Sequence, residues 1–361
     1  MEEKETKRMI ITRTPLRISF FGGGTDYPIW YREFGGAVLS TTIDKSCYIT
    51  SRRLPPFFDY HSRLSYSRIE NVHDNRAIEH PSARGCLQYL GVDDGVEIHH
   101  VADLPARTGL GTSSAFTVGL LLSLYALKDQ MRGKHALAAD AIHVEQEVVR
   151  EAVGSQDQVS AAYGGFNRIN FNTDGSFEVK QILTSRDRLV ALQQHCALFF
   201  TGFARTASEI AKEQIKMTPH RKHELELMFQ MVNEAEAIVT NPNRSLAEFG
   251  QLLHESWQVK RTLTGNITNT NLDEIYDAGR SAGALGGKLL GAGGGGFMLF
   301  FVPPERRKEL RIRLKNLLCV PFGFSNRGSH VVVYEPEEVY DKALTAERSE
   351  VYAQQPTRNT D

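Results

Sequence analysis

The chain has 361 residues, of which 41% are hydrophobic, and its 42 Lys and Arg against 43 Asp and Glu leave a formal net charge of -1. This size and apolar content predict two globular domains or one large one, and the balanced charge argues against a broad nucleic-acid-binding surface. No stretch approaches the ~20 apolar residues of a membrane-spanning helix, and the charged start has no secretory signal pattern, so we expect neither a nucleic acid nor a membrane as partner. Four scattered cysteines without a C-x-x-C pair favour a reducing, cytoplasmic setting.

The first predicted element is a β-rich stretch over residues 10–21, either one strand broken at Pro15 or two short strands. A loop of three glycines follows, Gly22-Gly-Gly-Thr-Asp-Tyr27, with Arg17 just before it. Such a loop exposes backbone to a ligand, but on its own it is more typical of a hairpin turn. The pattern then predicts further strands in 37–52, a helix over 82–90 and a strand over 96–101.

A second glycine-rich loop, Pro105 to Ala115, lies between that strand and an apolar helix expected to end near residue 129. Gly109 and Gly111 remove side chains where a ligand would press on the backbone. The hydroxyl residues from Thr112 to Ser114 lie at the helix start, where free N–H groups favour an anion. The loop lacks both the lysine of a Walker loop and the glycine spacing of a dinucleotide-binding loop. A phosphate site and an ordinary capped turn are both open at this point.

A second helix, predicted over 134–153, leads to the segment Gly154-Ser-Gln-Asp-Gln158. The composition changes near residues 185–188, which we take as the boundary between domains 1–185 and 186–361. Between these features the pattern predicts a helix over 156–163 and a hairpin of strands 166–171 and 177–182.

The second half is predominantly helical and ends in alternating strands and helices. A third glycine-rich stretch, Leu285 to Phe297, interrupts it. The predicted elements are a β run within 190–201, helices through 207–260 broken at Pro219 and Pro242, a helix over 272–284, a strand over 297–302, a helix over 306–318 and a strand over 330–334.

The three glycine-rich loops, in this order and with Gly154 to Gln158 between them, resemble the GHMP kinases, which include galactokinase, homoserine kinase and mevalonate kinase. Arg17 to Tyr27 is similar to the first family motif, Pro105 to Ala115 to the second and Lys288 to Phe297 to the third. The resemblance covers roughly Ile10 to Tyr334. It implies an α+β fold of two domains, a ribosomal protein S5 domain 2-like N-terminal domain and a ferredoxin-like C-terminal domain, with the active site in the cleft between them.

Within the family, the first motif and Ala292 to Gly296 resemble the bacterial D-glycero-D-manno-heptose 7-phosphate kinases, with the kinase domain of fucokinases nearby. Galactokinases carry Gly-Glu-His-Thr-Asp-Tyr at the first loop, so the Glu and His that contact galactose become Gly23 and Gly24 here. This difference removes two galactose contacts and makes room for a bulkier sugar. The resemblance therefore implies ATP-dependent phosphorylation of the anomeric hydroxyl of a heptose 7-phosphate, serving nucleotide-heptose synthesis for a surface glycan such as capsule or lipopolysaccharide.

Two alternatives stay open: a kinase of an unphosphorylated sugar such as fucose, and a sugar- and ATP-binding regulator without catalysis. The first would lack a cationic pocket for a distal phosphate. The second is disfavoured by the presence of the residues that the resemblance makes catalytic. The oligomeric state is open between a monomer and a homodimer.

The resemblance assigns catalysis to Asp157, as base or orienter of the attacking hydroxyl, and to Arg17, near Asp157 and the γ-phosphate. Without the resemblance, Asp157 is a helix cap and Arg17 a surface ion-pair partner. The residues expected to cradle the ATP phosphates are Gly109, Leu110, Gly111, Thr112, Ser113 and Ser114.

The resemblance also implies Mg²⁺, held by hard oxygen ligands. Direct alignment selects the hydroxyl of Ser113, with Ser114 one residue away. Glu145, twelve residues before Asp157, matches the family spacing of the metal carboxylate, whereas a helix would turn Glu147 away.

The acceptor is expected to meet backbone of the first and third loops and a cationic pocket. The predicted substrate-binding residues are Gly23, Gly24, Thr25, Asp26, Arg205, Lys288, Gly293 and Gly294. Arg107 and Arg168 are further candidates for the distal phosphate, although each basic residue is also typical of a plain surface charge.

Overall fold

The computed structural model describes residues 9–55, 57–202 and 207–335, which form two β-sheets and the helices around them. The strands of the described residues are β1 (Met9–Phe21), β2 (Gly36–Arg53), β3 (Ser62–Ser65), β4 (Ile69–Val72), β5 (Val96–Ala102), β6 (Phe166–Phe171), β7 (Phe177–Gln181), β8 (Cys196–Gly202), β9 (Gly286–Leu289), β10 (Gly296–Phe301), β11 (Leu318–Val320), β12 (Phe324–Ser325) and β13 (His330–Tyr334). The α-helices are α1 (Pro28–Phe34), α2 (Pro81–Tyr89), α3 (Thr112–Leu127), α4 (Lys134–His143), α5 (Gln156–Tyr163), α6 (Arg186–His195), α7 (Ala207–Met217), α8 (Lys222–Thr240), α9 (Leu246–Arg261), α10 (Thr270–Ser281) and α11 (Arg307–Arg313).

The larger sheet has nine strands and is built on the long antiparallel pair β1–β2, around which the order is β13-β1-β2-β5-β3-β4. The hairpin β6–β7 extends this sheet from β2, and β3 alone pairs in parallel, with β5. Helix α3 packs on β1 and β2, and it is apolar nearly all round, with Leu120, Leu121 and Leu124 fully buried. Because burying each such side chain contributes about 1.5–3 kcal/mol, α3 is fixed firmly, and so is the loop that precedes it.

Strand β1 is continuous, so the prediction of a break at Pro15 is wrong. The pairing with β2 instead shifts register between Pro15 and Arg17. Proline has no N–H to give to a β ladder, and a bulge is the usual way to accommodate it. The backbone N–H of Arg17 donates to the carbonyl of Leu110 at 3.0 Å, so the bulge connects β1 to the second glycine-rich loop.

The smaller sheet has the order β11-β8-β10-β9 and is antiparallel throughout. Helix α9 packs on β9, and α8 packs on β2 of the larger sheet. The Phe249 ring of α9 lies 5.4 Å from that of Phe20 and 5.1 Å from that of Phe21, both in β1. It also lies 5.4 Å from that of Phe301 in β10. This buried aromatic cluster joins the two sheets, with edge-to-face contacts to the two β1 rings and a tilted contact to Phe301.

The last two strands return to the larger sheet, where β13 pairs with β1 and β12 with β2. The predicted domain boundary at residues 185–188 coincides with the start of α6, whose N-cap is Ser185. The division into 1–185 and 186–361 stays a prediction.

Several predicted bounds change. The helix expected over 134–153 ends as an α-helix at His143 and continues as a π-helical turn, Val144–Val148. The β run expected within 190–201 is β8, which begins at Cys196, and the residues before it belong to α6, a helix that was not predicted. The short elements α1, β3, β4, β9, β11 and β12 were not predicted. None of the described helices is long and apolar enough to cross a membrane.

Candidate active site

The centre of the candidate site is an ion pair between Arg17 and Asp157, which lie 140 residues apart in the chain. Arg17 Nε donates to Asp157 Oδ1 at 2.7 Å and Nη2 donates to Oδ2 at 2.8 Å, while Nη1 donates to the Gly109 carbonyl at 2.6 Å. The Arg17 side chain is 5% exposed and that of Asp157 25%. The guanidinium is therefore fixed on three sides, and the carboxylate keeps an accessible edge that can accept a further hydrogen bond.

The second glycine-rich loop lies directly on this pair. Gly109 and Gly111 have φ of 83° and 75°, a region that favours glycine. A Cβ on Gly111 would lie 3.3 Å from both Arg17 Cγ and Asp157 Oδ2. Helix α3 begins immediately afterwards, at Thr112, so its free N–H groups start beside the carboxylate. This arrangement agrees with the predicted anion cradle, although the individual phosphate contacts stay predictions.

The third glycine-rich loop packs against the second. A Cβ on Gly109 would lie 2.3 Å from the Leu290 carbonyl oxygen, and one on Gly291 would lie 2.5 Å from Gly109 Cα. The Phe297 N–H also donates to the Thr108 carbonyl at 3.1 Å. The two loops therefore touch backbone to backbone, and no larger residue fits at the contact.

Gly293 and Gly294 pack on the segment after α9. Gly294 N–H donates to the Ile267 carbonyl at 3.0 Å, and a Cβ on Gly293 would lie 2.8 Å from Ile267 Cα. Their described contacts are thus with the protein itself, and the substrate role predicted for them stays untested.

The first glycine-rich loop is tied to the segment that carries Asp157. Asp26 accepts hydrogen bonds from Gly24 N–H at 2.9 Å and from Gln156 Nε2 at 3.0 Å. Burial raises the pKa of Asp26, and the Asp157 charge adds to this rise, while the Gly24 N–H opposes it. A Cβ on Gly154 would lie 1.9 Å from Asp26 Oδ2, so only glycine fits there. Thr25 Oγ1 donates within the loop to the Gly22 carbonyl at 2.8 Å. Thr25 and Asp26 therefore fix the conformation of the loop through hydrogen bonds within the protein.

The two glycines that distinguish this loop from galactokinases have different surroundings. Among the described residues, a Cβ on Gly23 would meet just Gln156 Nε2, at 3.8 Å. A Cβ on Gly24 would lie 3.0 Å from Leu225 Cδ2 of α8. The space beside the backbone is therefore open at Gly23, whereas Leu225 occupies it at Gly24, and the room for a bulkier sugar stays a prediction.

A small cavity opens beside Gly24 and brings in a cation that the sequence pattern did not single out, Arg221. Its guanidinium donates to the Leu263 carbonyl through Nε at 3.2 Å and to Glu224 through Nη1 at 3.1 Å. The cavity is lined by Gly24, Tyr27, Gln214, Thr218, Arg221, Leu225 and Leu263.

Among the described residues, the basic side chains predicted for a distal phosphate lie in separate surroundings. Lys288 is 3% exposed, and its Nζ donates to the Phe20 carbonyl at 3.0 Å. Burial, with the charges of Lys260 and Arg17, lowers its pKa well below the usual range. Arg168 pairs with Glu236 at 2.6 Å, and Arg107 is an exposed loop residue. Arg205 lies outside the described residues.

The candidate metal ligands meet under the start of α3. Glu145 is fully buried, and its Oε2 accepts hydrogen bonds from Ser114 Oγ at 2.9 Å and from Gln158 Nε2. Its Oε1 is buried without a hydrogen-bond partner among the described residues. Burial raises the pKa of Glu145 to about 7, and the Glu151 charge adds to this, while hydrogen bonds from neighbouring side chains oppose it.

The hydrogen bond between Ser114 and Glu145 favours Ser114 over Ser113 as the metal ligand. Ser113 is exposed on the first turn of α3. Glu147 is exposed as well. Within the described residues, no three His, Cys, Asp or Glu side chains are grouped to hold a metal by themselves. Mg²⁺ needs just one or two carboxylates when nucleotide phosphates and waters complete its shell, so one hydroxyl and one carboxylate with an unpartnered oxygen fit it.

The chain is similar to several known sugar kinases. A D-glycero-alpha-D-manno-heptose 7-phosphate kinase of Campylobacter jejuni subsp. jejuni is 29% identical over 298 residues, covering 79% of this chain and 87% of the relative. A bifunctional fucokinase/GDP-fucose pyrophosphorylase of Arabidopsis thaliana is 26% identical over 83% of this chain and 30% of its own length. The crystal structure of a D-glycero-D-manno-heptose 1-phosphate kinase from Bacteriodes thetaiotaomicron superposes with a TM-score of 0.74 at 22% identity, covering 91% of this chain and all of the other.

Two family models match the chain. The model for the GHMP kinases N terminal domain matches residues 77–165, which include the second glycine-rich loop, Glu145 and Asp157. The model for GHMP kinases C terminal matches residues 235–317, which include the third loop. Together with the fold, these matches confirm the predicted α+β class, and they show that the chain carries the N-terminal and C-terminal domains of the GHMP kinases.

Proposed function

We propose that this chain is an ATP-dependent kinase that phosphorylates the anomeric hydroxyl of D-glycero-D-manno-heptose 7-phosphate to the 1,7-bisphosphate. The observation that carries the proposal is the bidentate Arg17–Asp157 pair, which lies under the second glycine-rich loop. The name of the Campylobacter relative supports the heptose, and the open space at Gly23 is compatible with a sugar bulkier than galactose. The product would enter nucleotide-heptose synthesis for a surface glycan, in the cytoplasm.

In the proposed reaction, N–H groups from Gly109 to Ser114 hold the ATP phosphates at the start of α3. The accessible edge of Asp157 accepts a hydrogen bond from the anomeric hydroxyl and orients its oxygen toward the γ-phosphorus. The new O–P bond forms as the bond between the γ-phosphorus and the β–γ bridging oxygen breaks. The hydroxyl proton passes to Asp157 late in transfer, ADP leaves, and Arg17 balances the charge that develops on the transferring group.

Ser114 and Glu145 are the residues that would hold Mg²⁺, which neutralises phosphate charge when bound. The unpartnered Oε1 of Glu145 is the observation that supports this assignment. For the distal phosphate of the acceptor, Arg221 is the candidate that we favour, because its cavity adjoins Gly24 of the first loop. A guanidinium suits a phosphate, although Glu224 beside it weakens the local positive charge.

The test is ADP release with magnesium-ATP and a panel of acceptors: heptose 7-phosphate, mannose 6-phosphate, fucose, galactose and mevalonate. We expect turnover with heptose 7-phosphate, and we expect Asp157→Asn to lower kcat by about 10²–10⁴-fold because the hydrogen-bond and proton acceptor is lost. Asp174→Asn is the matched control, since Asp174 is an exposed carboxylate in the β6–β7 turn.

Each other outcome has a distinct meaning. Turnover with fucose alone would replace the substrate and leave the mechanism standing, a result that the fucokinase relative would explain. No turnover with any acceptor, alongside nucleotide binding, would favour a binding regulator. Full activity of Asp157→Asn would overturn the mechanism.

A further inference from the structure

A buried lysine in the last turn of α9 is not used by the mechanism above. Lys260 is 5% exposed, and its Nζ donates to the Leu289 carbonyl at 3.2 Å and to the Gly291 carbonyl at 2.5 Å. A buried ammonium without partners is costly, so these two carbonyls are what keep Lys260 in place. Conversely, Lys260 holds the carbonyls at the point where β9 passes into the third glycine-rich loop.

Those carbonyls lead directly to the candidate site. Gly291 and Leu290 lie against Gly109, where a Cβ from either side would clash with the other backbone. The Gly109 carbonyl in turn accepts a hydrogen bond from Arg17, which holds Asp157. A continuous set of contacts therefore runs from Lys260 through both glycine-rich loops to the catalytic ion pair.

The charge of Lys260 also interacts with other charged groups of the candidate site. Arg17 from β1 faces it as a cation and Asp26 from the first loop as an anion, while Lys288 of β9 is a buried neighbour whose own pKa is lowered well below the usual range. Burial, together with the Arg17 charge, lowers the pKa of Lys260 to about 8, while the Asp26 charge opposes the change. A protonated Lys260 thus adds positive charge behind the loop that is expected to hold phosphates.

We propose that Lys260 is a positioning residue for nucleotide binding: it clamps the third glycine-rich loop against the second and places a positive charge behind the phosphate cradle. The inference rests on the proposed function in taking the second loop as the ATP phosphate site. It does not depend on which sugar is the acceptor.

The experiment is calorimetric titration of the full chain with magnesium-ADP, without an acceptor, for the wild type and three variants. Lys260→Met removes the donor and the charge at similar length, and we expect it to weaken ADP binding roughly tenfold or more. Lys260→Arg keeps the charge and should retain most of the affinity. Trp257→Phe is the control for packing of α9, because the Trp257 indole N–H is buried without a partner among the described residues. We expect its affinity to stay within about twofold of the wild type.

A pH series separates positioning from a general structural role. Between pH 7.5 and 9.5 the wild type should lose ADP affinity as Lys260 loses its proton, whereas Lys260→Arg, which shares every other titrating group, should change less. Equal affinities of wild type and Lys260→Met, or parallel pH profiles of wild type and Lys260→Arg, would overturn the inference alone. A wild type that binds no nucleotide would overturn the proposed function and this inference with it.

Discussion

Replacing Glu145 with glutamine tests the most unusual electrostatic feature of the candidate site. Burial raises the pKa of this carboxyl from its ordinary 4.5 to about 7. A pKa that is higher in the folded state stabilises the fold fully below pH 4.5, and this contribution disappears as the pH rises through about 7. The difference between the two values corresponds to about 3 kcal/mol, of which roughly 2 to 3 kcal/mol falls between pH 5 and pH 8.5.

Glutamine does not titrate, so Glu145→Gln should become more stable relative to the wild type as the pH rises. The measurement is urea unfolding of both proteins at pH 5, 6, 7 and 8.5 in EDTA, followed by tryptophan fluorescence. Glu147→Gln is the matched control, because Glu147 is an exposed carboxylate two residues away in the same π-helical turn. For that variant the difference from the wild type should stay constant across the series.

Magnesium supplies the second arm of the same experiment. A cation at Glu145 binds its ionised form, so magnesium-ADP should stabilise the wild type at pH 8.5 more than Glu145→Gln. A difference between wild type and Glu145→Gln that changes by less than about 0.5 kcal/mol from pH 5 to 8.5 would refute the reasoning about burial. Equal stabilisation of both proteins by magnesium-ADP would refute the assignment of Glu145 as a metal ligand.

Three further substitutions test other parts of the site. Arg17→Lys cannot reproduce the bidentate bond to Asp157 together with the bond to Gly109, so kcat in the ADP-release assay should fall about 10²-fold or more while the fold persists by circular dichroism. Gly111→Ala places a Cβ 3.3 Å from Asp157 Oδ2 at a φ of 75°. The free energy of unfolding in urea should therefore fall by about 1–2 kcal/mol, and kcat should fall as well. An unchanged kcat would count against the close contact. Arg221→Met should raise KM for heptose 7-phosphate about tenfold and leave KM for ATP and for unphosphorylated heptose unchanged, and equal effects on both sugars would remove Arg221 from the phosphate pocket.

The parts of the fold that the sequence predicted are those with strong local signals. Helix α3 follows a glycine turn and is a long apolar run, and the hairpin β6–β7 brackets a Thr-Asp-Gly turn. Strand β9 gave no such signal, since Gly286 and Gly287 are poor strand residues. The strand forms by pairing with β10, and residue 286 must be glycine because a Cβ there would lie 2.0 Å from the Gly250 carbonyl oxygen of α9. That requirement comes from tertiary packing, which a local pattern does not contain.

The same distinction applies to the candidate site. Arg17 and Asp157 were assigned from motifs, and the structure brings them together. The choice between Ser113 and Ser114 depended on the rotation of α3 against the π-helical turn, which sequence spacing alone did not determine. Lys260 lies in the last turn of α9 and Arg221 is the N-cap residue of α8, positions where a lysine or arginine usually points to solvent. Their positions became evident from the carbonyls that they contact.

The glycines of these loops are required because there is no room for a side chain, more than because the backbone must be flexible. At Gly109 and Gly291 the missing side chains let two backbones touch, and at Gly154 the missing side chain lets the Asp26 carboxylate approach. A kinase site gains from such contacts because backbone groups that packing already holds in place have little conformational freedom left to lose when a ligand binds. The N–H groups that would hold the phosphates are therefore fixed before the nucleotide arrives, which is what electrostatic stabilisation of a transferring phosphoryl group requires. It follows that alanine at these positions should impair nucleotide binding and catalysis even where the chain still folds.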